Sequence, residues 1–303
     1  MKPLVSIIIP TFNRVHLMDE TLNCVLAQTY QNWECFVIDD RSTDNTNEFM
    51  DSYMQIDKRF HYYERPKEKP KGANACRNYG LEICKGEYIQ WLDSDDLMLP
   101  NKLEIQVSLI KEAPSDLITS TWGRFINSNK LVSYSNYASF NDFDNRKDFL
   151  NALATSKGYF PIHAYLMSKD LVLKSGGWDE TLVVNQDGDF MSRIFKYVNN
   201  FYCAKSTSVY YRQTNENSTS IYTNIEKAEA AIEIWRKISK RLKNESQSYV
   251  FFNKKLLFKN IKMMYPNLIK KNLYFFAEVL IYNWYQNTLV RRALNKMNKF
   301  FTS

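Results

Sequence analysis

Short apolar runs alternate with stretches of helical period along the first 121 residues of the chain. Val5 to Ile9, Cys35 to Ile38, Phe60 to Tyr63 and Tyr88 to Leu92 have the length and near-continuous apolar character of strands buried on both faces. Between them lie patterns of period 3.6. Val15 to Gln28 predicts a helix with Leu17, Leu22, Val25 and Leu26 on its inner face, Asp44 to Gln55 one with Phe49 inward, and Ala73 to Cys84 a third. A helix from about Asn101 to Lys111 and a strand near Leu117 to Thr121 continue the series. Alternation of this kind predicts an α/β fold with a Rossmann-like, mostly parallel sheet.

Composition adds an appendage to that picture. A chain of 303 residues with 45% hydrophobic content is ample for one large α/β domain and more. Charge is unevenly divided: residues 225–303 carry 16 Lys+Arg against 5 Asp+Glu, or +11, and residues 1–224 carry −4. A basic tail with interleaved aromatics (Phe251, Phe252, Phe258, Tyr274, Phe275, Phe276, Trp284) suits an anionic membrane surface better than duplex DNA, and no nucleic-acid-binding pattern accompanies it. A solvated face of a helical bundle is the plainer alternative. Leu273 to Val290 contains Glu278, Asn283, Gln286 and Asn287, which makes it a poor transmembrane span. Lasting attachment would need apolar insertion by side chains such as Phe275, Phe276 or Trp284. Five scattered cysteines without a C-x-x-C pair fit reduced thiols, and the apolar start is too short for a signal peptide, so a cytoplasmic protein is expected.

Candidate chemistry gathers where the strands end. Ligands of open parallel sheets bind at the carboxyl ends of the strands. There the first strand delivers Pro10, Thr11, Asn13 and Arg14, the second Asp39 and Asp40, and the fourth Asp93, Ser94, Asp95 and Asp96. Adjacent carboxylates repel unless a cation or proton neutralises them, and oxygen-only donors suit Mg²⁺ or Mn²⁺. Asp96 also reads as a cap for the following helix. Neither G-x-G-x-x-G nor G-x-x-x-x-G-K-[ST] is present, which removes the dinucleotide and P-loop readings.

Four segments in order, Ser6 to Arg14, Val37 to Asp44, Ala75-Cys76-Arg77-Asn78-Tyr79-Gly80, and Gly86 through Asp93-Ser94-Asp95, resemble a family-two inverting glycosyltransferase of GT-A fold, the bacterial polysaccharide type. The resemblance covers about residues 1–220 and implies a nucleotide-binding half over 1–121 and an acceptor half over 122–224. By that likeness the first two segments hold the base and ribose of a nucleoside diphosphate sugar. Asp95 holds the metal, and Asp93 faces the ribose or a metal-bound water. Arg77 would bridge the diphosphate or clamp the acidic motif; pairing with Glu82 or Asp93 is its structural alternative.

Further on, Gly176-Gly177-Trp178-Asp179-Glu180 and Asn185-Gln186-Asp187-Gly188-Asp189-Phe190 resemble the family's acceptor-side loop and the E-D-x-D element that carries its general base. Gln186 stands where the usual glutamate would be, and Asp187 is kept. Inversion requires one carboxylate to deprotonate the attacking hydroxyl, and the likeness gives that role to Asp187. A helix cap is its alternative. Trp178 and Asp179 fall in the acceptor region, and Asp189 reads as structural. Ser208 to Ser218 resembles a Y-R-x-H-x-x-S segment that closes over the diphosphate, with Arg212 kept and Thr214 or Asn215 at the histidine position. His163, in an apolar run, reads as a core or acceptor-groove residue. The expectation is a transferase acting on a nucleotide-sugar donor and a glycan or lipid-linked acceptor. A weak nucleotide-sugar binding protein that scaffolds a membrane assembly is the alternative.

Overall fold

The strand beginning at Val5 is apolar on both faces because it lies in the middle of a sheet. In this computed structural model, which describes residues 2–110, 116–126, 130–156, 158–213 and 222–301 (side chains of 287 and 289–301 excepted), β1 (Val5–Thr11) is buried throughout. It pairs in parallel with β2 (Trp33–Asp39) on one side and, at Val5 to Ile8 only, with β4 (Tyr88–Trp91) on the other. β3 (Phe60–Glu64) extends the sheet beyond β2, and β8 (Met167–Ser168) adds an antiparallel edge to β4, giving the order β3-β2-β1-β4-β8. Pro10 lies past the last β4 pairing, where its missing N–H costs no ladder bond on that side. β1 and β4 therefore part at their carboxyl ends, and the strand order reverses between them. Such a switch point opens a crevice for ligands.

Helices α1 (Val15–Leu26), α2 (Thr46–Ile56) and α3 (Ala73–Ile83) connect these strands. The period of α1 matches expectation, but its phase differs: Met18, Thr21, Leu22 and Val25 are buried, whereas Leu17 and Leu26 are half-buried. In α2 the buried apolar side chains are Met50 and Tyr53, and Phe49 packs beside Tyr53 at the rim. α3 comes very close to β1 because Gly80 has no side chain; a Cβ there would fall 2.6 Å from Ile8 Cγ2.

After β4 the chain turns through Asp93 to Asp96 and enters a second sheet. β5 (Leu97–Met98), β9 (Phe201–Arg212), β6 (Leu117–Phe125) and β7 (Leu131–Ser133) lie in the order β5-β9-β6-β7, with β6 and β9 parallel. α4 (Lys102–Ser108), α5 (Arg146–Thr155), α6 (Lys169–Lys174) and α7 (Gln186–Ile194) complete this part. Phe149 stacks on Phe201 at 4.0 Å and anchors its core with Phe160 and Phe195. The acidic turn is thus the junction of two sheets.

The chain divides into two compact units, Met1–Ile221 and Tyr222–Ser303. The second is helical: α8 (Ile225–Leu242), α9 (Gln247–Met264), α10 (Pro266–Lys271) and α11 (Leu273–Phe301). The Asn224 and Ser246 side chains cap α8 and α9, and Pro266 opens α10 at a position where its missing N–H is harmless. Phe275 and Phe276, expected as insertion residues, are instead core: Phe276 is fully buried edge-on to Phe258 at 5.5 Å. All five cysteines are free thiols, four of them buried. Among the described residues no helix is long and apolar enough to cross a membrane.

Candidate active site

The loops after β1 and β2 are built against each other. The Asn13 backbone N–H donates to Ser42 Oγ (2.8 Å), Ser42 N–H and Oγ–H donate to Asp39 Oδ1 (2.8 and 2.6 Å), and Thr43 N–H donates to Asn13 Oδ1 (2.7 Å). Asp44 accepts from Val15 N–H at the start of α1 and from Thr46 N–H at the start of α2, so one carboxylate ties both helices to the loop. The Asp40 N–H donates to Thr11 C=O at 2.8 Å. Asn13 and Arg41 adopt left-handed backbone (φ 51° and 64°), as does Asn185 (φ 49°) beside Asp187. Strained backbone of this kind persists where surrounding bonds enforce it, and it concentrates at ligand sites. The Thr11 side chain faces inward onto Met18 Sδ, so Pro10 and Thr11 contribute backbone and shape. Asp39 is nearly closed off, its second oxygen accepting from the Tyr62 hydroxyl at 2.7 Å. Asp40 is ion-paired with the buried Arg65, whose guanidinium also donates to the carbonyls of Pro66 and Lys69.

Asp93 to Asp96 forms a β-turn closed by Asp96 N–H donating to Asp93 C=O (3.1 Å). Three distant elements hold it. Thr21 of α1 donates its hydroxyl to the carbonyls of Ser94 and Asp96 (3.1 and 3.0 Å). Arg212 at the end of β9 donates Nε–H to Asp95 C=O (2.7 Å) and its backbone N–H to Asp96 Oδ1 (2.8 Å), while its guanidinium also pairs with Glu20 and lies over the Phe125 ring. His163 Nδ1 sits 3.0 Å from Asp96 Oδ2, both side chains buried. Asp96 is therefore an internal tie, not a helix cap, and Ser94 is buried inside the turn.

Asp95 has a different setting. Burial, with Asp96 and Asp93 nearby, pushes its carboxyl up to about 7, only partly offset by Arg14 and Arg212. An oxygen-only, part-desolvated and under-neutralised donor set fits a divalent cation. Among the described residues no three His, Cys, Asp or Glu side chains converge as a complete protein ligand set. A cation held by one or two carboxylates together with substrate phosphates needs no such cage.

Arg77 lies across the crevice on α3. Its Nη2 donates to Asp93 Oδ1 at 2.6 Å, Nη1 donates to Asn74 Oδ1 at 3.2 Å, and the guanidinium stacks over Trp178 with 4.4 Å to the ring centroid. Its Nε is buried without a hydrogen-bond partner among the described residues. Burial alone would lower its proton affinity, but the Asp93 and Asp187 carboxylates outweigh that and raise it. Glu82, the alternative partner, pairs with Lys69.

The next residue after Arg77, Asn78, fixes the loop that leads to Asp187. Its Nδ2 donates to Trp178 C=O and to Glu180 Oε1 (both 2.8 Å), and its Oδ1 accepts from Trp178 N–H (2.9 Å). Asn74 donates to Asp179 C=O (2.7 Å), and from α7 the Arg193 guanidinium donates to the carbonyls of Ser175 and Gly177 while pairing with Asp189 at 3.0 Å. Gly177 has φ 65°, and a Cβ there would meet Asn78 Oδ1 at 2.9 Å, so both its backbone and its surroundings demand glycine. Asn78→Ala should lower stability by about 1–3 kcal/mol by leaving Trp178 N–H and its neighbours unpaired, measured by urea denaturation; an unchanged midpoint would mean that the loop holds itself.

Asp187 occupies the first turn of α7, half-buried, one residue past Gln186, whose side chain donates back to Leu182 C=O (2.9 Å). Burial pushes its carboxyl up to about 6; Arg77 pulls it down and Asp93 pushes it up, with His163 and Asp96 further contributors. Asn185, not Asp187, is the residue that precedes the helix. The structure thus brings Asp93, Asp95, Arg77, Arg14, Arg212 and Asp187 to one crevice, with the Asn13, Asp39 and Asp40 loops on its β1–β2 side. Trp178, expected on the acceptor side, is only 3% exposed, stacked on Phe190 at 4.2 Å and edge-on to Trp91. Asp179 bonds Thr181. Thr214 and Asn215 lie outside the described residues. Sequence reasoning missed Arg65, Tyr62, Glu20 and the tie between His163 and Asp96; Arg65, just past the end of β3, was open to the same strand-end rule.

The sequence model described as Glycosyl transferase family 2 matches residues 6–172, more than half of the chain. UDP-Glc:alpha-D-GlcNAc-diphosphoundecaprenol beta-1,3-glucosyltransferase WfgD of Escherichia coli is 39% identical over 135 residues, covering 43% of this chain and 49% of that protein. The putative teichuronic acid biosynthesis glycosyltransferase TuaG of Bacillus subtilis is 40% identical over 111 residues, covering 37% and 43%. The chain's matches thus span about half the length of these relatives or less. Among solved structures, S. aureus TarS 1–349 superposes with a TM-score of 0.68 at 18% identity, covering 86% of this chain and 74% of that one. Mannosyltransferase PcManGT of Pyrobaculum calidifontis, in complex with GDP-Man and Mn²⁺, gives 0.60 at 16%, covering 86% and 73%. At such identities the likeness speaks for the fold alone, which is GT-A. With more than half its length matched by the family's model, the chain belongs to glycosyl transferase family 2.

Proposed function

We propose that the chain transfers a sugar, with inversion, from a nucleoside diphosphate sugar to a hydroxyl of a glycan or lipid-linked acceptor, with a uridine-linked donor the first candidate. The observation that carries this reading is the meeting of Asp187, Arg77 and the Asp93–Asp95 turn at the crevice between β1 and β4. Asp187 takes the proton of the acceptor hydroxyl as its oxygen attacks the anomeric carbon, on the face opposite the leaving group. The bond from that carbon to the diphosphate breaks, and the nucleoside diphosphate departs. The Asn13, Asp39 and Asp40 loops, with Pro10 and Thr11, cradle base and ribose. Arg14, Arg77 and Arg212 supply positive charge for the phosphates. Asp95 would hold Mn²⁺ or Mg²⁺, with Asp93 facing the ribose or a bound water. When bound, the cation neutralises charge on the diphosphate.

Support for the substrates comes from the relatives' own descriptions. WfgD is named for a UDP-glucose donor and a diphosphoundecaprenol-linked acceptor, and TarS has been solved with UDP-GlcNAc (TM-score 0.64, 20% identity, 78% of this chain and 66% of that one). On that basis the reaction belongs at the cytoplasmic face of the inner membrane. A panel of nucleotide sugars, assayed for Mn²⁺-dependent hydrolysis and transfer, tests the reading; no turnover of any donor would overturn it in favour of a binding protein.

The raised carboxyl of Asp187 sets the pH dependence. Its base form exists above about pH 6 and is lost as the pH falls through that value, so kcat/KM at saturating cation should be level from pH 7 to 8 and fall about tenfold per unit well below 6. A kcat/KM level down to pH 4.5 would remove Asp187 from the proton transfer.

A further inference from the structure

Helix α11 buries one side and leaves the other apolar and bare. Phe275, Phe276 and Val279 face the core of the helical unit, and Tyr274, Ile281 and Tyr285 recur at seven- and four-residue spacing on the opposite side. Leu273 and Trp284 flank them. All five are exposed by more than half, Tyr274 by 94%. An amphipathic helix serving only its own bundle would carry polar side chains there. Its one acidic residue, Glu278, lies on the same face between Tyr274 and Ile281, with Lys254 Nζ of α9 at 3.5 Å from its carboxylate.

Beside this stripe runs a basic one. Lys255, Lys259 and Lys262 are exposed at i, i+4 and i+7 on α9, and Lys255 Nζ sits 4.4 Å over the ring of Tyr282 of α11, so the lysine row borders the apolar face. Residues 225–303 hold 16 Lys+Arg against 5 Asp+Glu. We propose that this face of α9 and α11 docks on an anionic lipid bilayer, with Ile281, Trp284, Tyr274 and Tyr285 entering the interface and the lysines pairing with lipid headgroups. Charge complementarity selects this occupant. Trp and Tyr favour the boundary between headgroups and acyl chains, and each Lys or Arg near such a surface adds attraction. Isologous pairing of two copies would bring together two helical units that each carry a net +11 over residues 225–303, which like charge opposes. Electrostatic attraction and apolar insertion together provide the two signals that stable peripheral attachment requires. The inference stands apart from the sugar-transfer chemistry, since vesicle binding is read without substrate.

Trp284 makes the test direct. The other five tryptophans, Trp33, Trp91, Trp122, Trp178 and Trp235, are buried, so a lipid-induced blue shift of intrinsic emission reports on Trp284. The full chain should co-sediment with phosphatidylcholine vesicles increasingly as phosphatidylglycerol is added, with a blue shift. The pair Ile281→Glu and Trp284→Glu should lose at least about tenfold in vesicle affinity, with the folded state confirmed by circular dichroism. Lys255→Gln, Lys259→Gln and Lys262→Gln together should lose about a hundredfold at low salt yet keep the blue shift at saturating vesicle concentration. Parent-level binding by both variants, or parent binding indifferent to phosphatidylglycerol, overturns the proposal. So does a parent dimer that Trp284→Glu splits, which would assign the face to a second copy.

Discussion

Asp187→Asn should lower sugar transfer by about 10²-fold or more, the usual worth of a positioned general base, and leave donor affinity within a few-fold. The amide keeps the shape of the side chain and its place in the first turn of α7, but it cannot accept the proton of the incoming hydroxyl. Arg77 retains its 2.6 Å bond to Asp93, its stack on Trp178 and its bond to Asn74, so the diphosphate side of the crevice survives the change. Single-turnover rates and calorimetric donor affinity, measured on the same preparation, separate the two effects. Transfer at near-parent rate would move the base elsewhere. The neighbouring carboxylates are poorly placed to inherit the role: Asp189 is buried against Arg193, and Asp179 is engaged with Thr181.

How much of this could be read from the chain follows from the range of the interactions. Strand-like apolar runs and the carboxylates at their ends are local signals, and β1, β2, β3 and β4 lie where the pattern puts them. The inner face of α1 departs from the apolar pattern at Thr21, which is polar yet buried with its hydroxyl bonded to two carbonyls of the acidic turn. Polarity alone hides such a position, since a satisfied hydroxyl costs little inside. The burial of Trp178 is hidden for the opposite reason. Its slot is made by Trp91 and Phe190, remote in sequence, and a glycine-flanked tryptophan looks like a loop aromatic until they close around it. The 3.0 Å contact between Asp96 and His163 is equally non-local. A carboxylate in an acidic run reads as a ligand or a cap, and only the fold reveals that its partner lies in an apolar segment. In the tail, composition revealed the charge but not which aromatics are bare; the packing of Phe275 and Phe276 against α9 decides that.

Asp95→Ala should abolish the cation-dependent part of donor binding while leaving the fold intact. The turn is held by the backbone and by Thr21, Arg212 and His163, none of which bonds the Asp95 carboxylate; Arg212 reaches its carbonyl, which alanine keeps. The carboxyl itself is a liability in the empty protein. Burial together with Asp96 and Asp93 pushes it up to about 7. A group whose folded proton affinity exceeds its unfolded one loses stability for the protein as the pH rises through the interval between them. Removing it should therefore leave the melting temperature at pH 8, without cation, equal to or above that of the parent. Adding Mn²⁺ and UDP should raise the parent's melting temperature, because a ligand that binds only the folded state stabilises it by mass action, and should raise the variant's no more than UDP alone does. The opposite signs of the two effects distinguish a ligand position from a structural one, since a structural carboxylate would weaken both. Calorimetric titration of UDP with Mn²⁺ gives the direct reading: affinity equal to the parent's in Asp95→Ala would show that the cation, and with it the diphosphate, is held by other groups.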